Sequence, residues 1–166
     1  MRAWPEMVWT PLACGLIMVA LGGLSMAAGQ PLLFPSLAPA TVTHVARPLQ
    51  PSAHPYPTIA GQLLGIGCAY LAVWLTGATA SPSVLGAHSF PAPRMWATAV
   101  GIVLTAASQE AAGALNPPAA ATVVLITLGA FAPIARDFWT LVAGVLVMAL
   151  LGELARRLRL AQLDLL

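Results

Sequence analysis

The chain has 166 residues, 59% hydrophobic and 7% charged, with a net charge of +2 and a mean hydropathy of +0.85. Soluble domains carry roughly 25% charged residues, so the composition excludes an ordinary water-soluble domain and points to an integral membrane protein of one domain spanning residues 1–166. Lysine is absent and the arginines are scattered, which excludes a nucleic-acid surface. Cys14 and Cys68 lie inside apolar runs and suggest neither a disulfide nor a metal site.

Residues 8–28 form the first apolar run, long enough to cross about 30 Å of hydrocarbon at ~1.5 Å per residue. Ser25-Met26-Ala27 faintly resembles a signal-peptidase site, but the run is long for a signal sequence, and a retained span is expected. Residues 30–57 then hold seven prolines, with His44, Arg47 and His54. Within them, the apolar patch 31–46 falls short of the ~17–25 residues of a span, and its early prolines leave room for a helix only from about Pro39. A short or re-entrant helix is expected, followed by an extended loop. Residues 58–80 are the next span. Gly61 and Gly65 in it are small residues at the spacing that lets helix backbones approach closely in lipid.

Residues 81–93 are a polar loop, and residues 94–115 a span that carries Ser108, Gln109 and Glu110 in its last two turns. Asn116-Pro117-Pro118 breaks it, because each proline lacks an N–H and disfavours helix in the residue before it. A new helix can start there with Asn116 as its N-cap. Residues 119–134 are apolar again, Arg136-Asp137 marks a connection, 138–154 is the last span, and Arg156, Arg157 and Arg159 form a basic tail that anchors topology.

The two halves, about 8–80 and 94–155, look alike. Ala38-Pro39-Ala40-Thr41-Val42 pairs with Ala119-Ala120-Ala121-Thr122-Val123, and Ala60-Gly61-Gln62-Leu63 with Ala143-Gly144-Val145-Leu146. The fold expected is therefore all-α: a polytopic transmembrane bundle of two similar halves, each a span, a proline-broken short helix and a span. With six crossings the halves are inverted, and Arg2, Arg47 and the tail arginines share one side against Arg94 and Arg136, which puts both termini in the cytoplasm. With four crossings the short helices re-enter. Six is preferred.

Leu115-Asn116-Pro117-Pro118-Ala119-Ala120-Ala121-Thr122 resembles the His-Pro-Pro stretch of the HPP family of integral membrane proteins. Residues 54–64 resemble the family's Gln-Pro-Arg-Asn segment running into a Gly-Gly-His helix start, and residues 35–42 its Gly-Ser-Phe-Gly-Ala stretch. The polar positions differ: Asn116 stands for the family histidine, His54 for glutamine, Tyr56-Pro57 for Arg-Asn, and Gln62 for a second histidine. The resemblance implies a membrane protein of about four predicted spans and, for some members, nitrite transport.

Function is read from the broken helices. A small anion could sit where a helix start offers N–H groups and a positive dipole end, as at the discontinuous helices of transporters. Pro117 and Pro118 delete two of those donors, leaving Asn116 and Ala119; the alternative is that Asn116 only caps the helix. Ser36, Thr41 and Thr122 are expected to line the cavity or to bond within and between helices. Gln62 is a solute donor or a helix contact. Glu110 is a proton carrier or a headgroup-level acid. His44, His54 and His88 have no metal-ligand spacing and read as loop histidines. No catalytic constellation is present, so no enzyme and no cofactor is expected. The reading is a permease for a small solute such as nitrite in an inner or plasma membrane, with lipid as its surroundings and a homo-oligomer open. The alternative is a non-transporting scaffold or sensor.

Overall fold

The computed structural model describes residues 3–87 and 89–163, with side chains from Met7 onward. Helices α1 (Ala3–Ala28), α2 (Leu37–Ala46), α3 (Pro55–Leu75), α4 (Val84–Ala87), α5 (Ala92–Ala111), α6 (Ala119–Thr127) and α7 (Ala135–Gln162) account for the fold, and no strand occurs among the described residues. Met7–Ala28, Pro55–Leu75 and Ala135–Gln162 are long and apolar enough to cross a membrane. Helix α5 has 20 residues and comparable length, but carries Arg94, Thr98, Thr105, Ser108, Gln109 and Glu110. Helices α2 and α6, with 10 and 9 residues, are only about 15 Å long.

The expected boundaries hold where side chains set them and shift where the backbone does. Helix α3 stops at Leu75, before the expected Ala80, because Gly77 adopts φ +67. Helix α6 stops at Thr127 rather than continuing to 134, because Gly129 turns at φ +91. Helix α7 runs on through the basic tail to Gln162, since leucines and arginines are good helix formers.

Contacts along the helices fix the direction of each. Trp9 lies under Arg159, while Gln30 accepts hydrogen bonds from Arg136 and Thr140, so α1 and α7 are antiparallel. The segment 30–48 runs alongside α7 in the same direction: Phe34 packs at Gly144, His44 at Gly152, and Pro48 accepts a bond from Arg156. Helix α5 returns beside α3, with Gly101 against Ala72 and the Tyr56 hydroxyl on the Ala112 carbonyl. Segment 114–128 then runs opposite to α5, from Asn116 beside Gln109 to Thr127 beside Thr98. The segments holding α1, α2, α3, α5, α6 and α7 thus alternate in direction along the bundle.

The two broken-helix junctions are built alike. Gly29 and Gly113, at φ +60 and +59, end α1 and α5 with the same pair of closing bonds, including Gln30 N–H to Ser25 O and Ala114 N–H to Gln109 O. An extended stretch follows each, then a proline turn. Leu37 N–H donates to Phe34 O as Ala119 N–H donates to Asn116 O. This pairs Phe34 with Asn116, one residue off the register suggested by the Ala-Thr-Val match. A Cβ on Gly61 would lie 2.6 Å from Ala114 O, and one on Gly144 2.5 Å from Leu32 O. Each short helix also packs on its own half's first helix and on the other half's last: α2 on α1 and α7, α6 on α5 and α3.

The clearance at the glycines gives a test. Gly61→Ala and Gly144→Ala each press a methyl into backbone and should cost about 1–3 kcal/mol. Gly67, whose Cβ would meet nothing within 4 Å, should tolerate alanine within about 0.5 kcal/mol. Denaturant unfolding of the three variants in detergent micelles measures the difference.

Candidate functional site

Ser36, Gln62 and Thr122 come from three different helix neighbourhoods and meet in the interior, each 0% exposed. Thr122 Oγ1 donates to Gln62 Oε1 at 2.7 Å, and Ser36 Oγ lies 2.6 Å from Thr122 Oγ1. The Thr122 proton is committed to Gln62, so the Ser36 hydroxyl is the donor of the second bond. Ser36 stands at the N-cap position of α2 but makes no capping bond there; its hydroxyl crosses to α6 instead. Gln62 Nε2 is buried and has no hydrogen-bond partner. An amide N–H left in this state costs about 1–3 kcal/mol. Three of the six expected binding residues are therefore neighbours, and one ends in an open donor.

The other three sit apart from that chain. Thr41 is buried and donates to the Leu37 carbonyl of its own helix at 2.8 Å, the ordinary behaviour of a membrane threonine. Ala119 packs its methyl against Gly65. Its N–H bonds Asn116 O, and the Ala120 and Ala121 N–H groups bond the Pro117 and Pro118 carbonyls. These backbone donors at the start of α6 are therefore occupied within their own turn.

Asn116, 2% exposed, neither caps α6 nor presents its amide to a solute. Its Nδ2 donates to the Pro57 and Thr58 carbonyls of α3, at 3.2 and 3.1 Å. Its N–H goes to Gln109 Oε1, and Gln109 Nε2 donates to Gly61 O at 2.9 Å. Gln109 is thus the pin that fastens the end of α5, the break and α3. It sits four residues before the αL glycine that ends the helix, the one sequence feature that marked it.

A family described as HPP, transmembrane region, matches residues 1–161. The chain belongs to the HPP transmembrane family. No curated protein and no solved structure matches it. Asn116, which the resemblance sets in the place of the family's histidine, ties the break to α3.

The titratable candidates divide by burial. Glu110 is exposed in the last turn of α5, where an acid reaches the headgroup level. His54 is exposed at the start of α3, in keeping with a loop histidine, and His88 lies outside the described residues. His44 is a correction: it is 1% exposed within α2, not in a loop. Its Nδ1 bonds the Ala40 carbonyl, Nε2 faces Thr58 Oγ1 at 3.3 Å, and the ring lies on Gly152. The lack of ligand spacing read as a loop histidine, but the missing side chain of Gly152 makes room for an imidazole inside. Among the described residues, no group of three or more His, Cys, Asp or Glu side chains could hold a metal ion.

These contacts rank two substitutions. Gln109→Leu leaves the buried Asn116 N–H unpaired and should cost about 1–3 kcal/mol. Asn116→Ala removes two bonds to carbonyls of α3 and should cost about 1–2 kcal/mol. Thermal unfolding of the purified variants checks both, and Gln109→Leu should be no milder than Asn116→Ala.

Proposed function

We propose that this HPP family protein is a small-solute permease of two inverted halves, and that the Ser36–Thr122–Gln62 chain is its solute station. The observation carrying the reading is the open Gln62 amide inside a fully buried polar chain, at the point where both broken helices meet. A scaffold gains nothing from an unpaired donor there, whereas a solute that accepts it recovers the lost hydrogen bond. Discontinuous helices meeting at the centre of inverted repeats are where transporters bind.

In this reading the chain crosses six times. Segments 30–48 and 114–130 are the second and fifth crossings, each completed by an extended or turn-like stretch beside a short helix. Non-helical backbone of this kind is tolerated at membrane depth when protein buries it. Arg47, Arg156, Arg157 and Arg159 then share one end, against Arg94 and Arg136 at the other, which favours cytoplasmic termini in an inner or plasma membrane.

The station is closed in this state. Helices α2 and α6 approach each other chiefly through the Ser36–Thr122 bond, while α3 packs on α7 and Thr58 meets His44 across the same divide. Opening parts that bond and shifts the α3–α7 packing with it. A scaffold is the second reading, favoured by the backbone-tight contacts at Gly61 and Gly144.

Uptake of labelled nitrite and nitrate into proteoliposomes tests the proposal. Protein-dependent uptake of nitrite is expected, and Thr122→Val, which removes the hydroxyl linking Ser36 to Gln62, should lower it about tenfold, the equivalent of ~1.4 kcal/mol. Folded protein that moves neither solute would favour the scaffold.

A further inference from the structure

We propose that the solute held at Gln62 is uncharged: a small hydrogen-bonding molecule such as an amide or the protonated form of a weak oxyacid. The inference rests on the permease reading and adds the charge state of the cargo.

The argument begins with the proton count. Ser36 gives its hydroxyl proton to Thr122, Thr122 gives its own to Gln62 Oε1, and both N–H bonds of Gln62 Nε2 are left over. Turning the amide over would exchange the open donor for an open acceptor and leave the charge at zero. The chain can thus donate two hydrogen bonds to a guest, and it offers no formal charge.

Features that ordinarily hold an anion are engaged elsewhere. Arg94 donates to the Thr127, Ser81 and Pro82 carbonyls. Arg136 is on Gln30, Arg156 and Arg157 are on Glu153, and Arg159 lies over Trp9. Arg47 is exposed beyond α2. These groups belong to the two ends of the bundle. The backbone donors at the start of α6 close onto the Asn116, Pro117 and Pro118 carbonyls. A bare anion moved to Gln62 would lose its water and gain one neutral amide, and burial of an ion without a counter-charge is strongly unfavourable. A neutral molecule with one C=O, N=O or O–H group forfeits little and fills a vacant bond.

The test uses the wild-type chain in proteoliposomes with nitrite and urea as probes, protein-free vesicles to subtract leak, and Gln62→Leu vesicles to test the site. If the cargo is neutral, nitrite uptake carries no current, does not respond to an imposed inside-positive potential, and rises about tenfold for each pH unit lowered, following the neutral acid; urea competes with it. Uptake accelerated by inside-positive potential and accompanied by current would overturn the inference and leave the permease standing. Undiminished uptake by Gln62→Leu would also overturn it, by removing the site. If neither probe enters in a protein-dependent way at any pH, the permease reading itself fails.

Discussion

Hydrocarbon offers a buried polar group no water, so each such group in a membrane bundle must find its partner within the protein. In this chain the constraint falls hardest on the two interrupted helices, whose breaks free backbone groups in the middle of apolar sequence. The second break is satisfied by one side chain, Gln109, which accepts the Asn116 N–H and donates to Gly61 O. The far end of α6 is satisfied by Arg94, which bonds Thr127 O and the loop carbonyls of Ser81 and Pro82. Four buried side-chain atoms among the described residues lack a partner, Trp9 Nε1, Gln62 Nε2, Tyr70 OH and Thr105 Oγ1; of these, Gln62 Nε2 belongs to the side chain bonded to Thr122.

Close packing and polar satisfaction are linked here through glycine. Gly61 lets Ala114 and Asn116 lie against α3, which brings the Asn116 amide within reach of the Pro57 and Thr58 carbonyls. Gly144 does the same for Leu32 and Phe34 against α7, and Gly152 admits the His44 ring. The α1 span is 17% buried, against 44% and 50% for the α3 and α7 spans. Helix α2, at whose start Ser36 stands, packs on both α1 and α7.

Much of this architecture was legible in the chain because it follows from local chemistry. Prolines 117 and 118 must break a helix, long apolar runs must span, and Gly61 and Gly65 invite close backbone contact. Ser36, Gln62 and Thr122 were recognisable as polar residues inside apolar sequence. Their meeting was not, because it depends on the rotation of three helices separated by up to 86 residues. The role of Gln109 was hidden for the same reason. Asn116 illustrates the limit: a residue before a helix start reads as a cap, yet the proline turn supplies the first bonds of α6 and frees the amide for α3. His44 read as a surface group because no ligand spacing gave it a role, while the space that buries it is provided by a glycine more than a hundred positions away.

The central claim is that α2 and α6 meet at Ser36 and Thr122 and must part there for a solute to pass. A double variant, Ser36→Cys with Thr122→Cys in a background lacking Cys14 and Cys68, tests it directly in proteoliposomes. Hydroxyl oxygens 2.6 Å apart place the two backbones within disulfide reach. Oxidation should therefore form the cross-link and stop the residual uptake that the reduced double variant retains, and reduction should return it to that residual level. Uptake that continues unchanged with the cross-link fully formed would contradict the account.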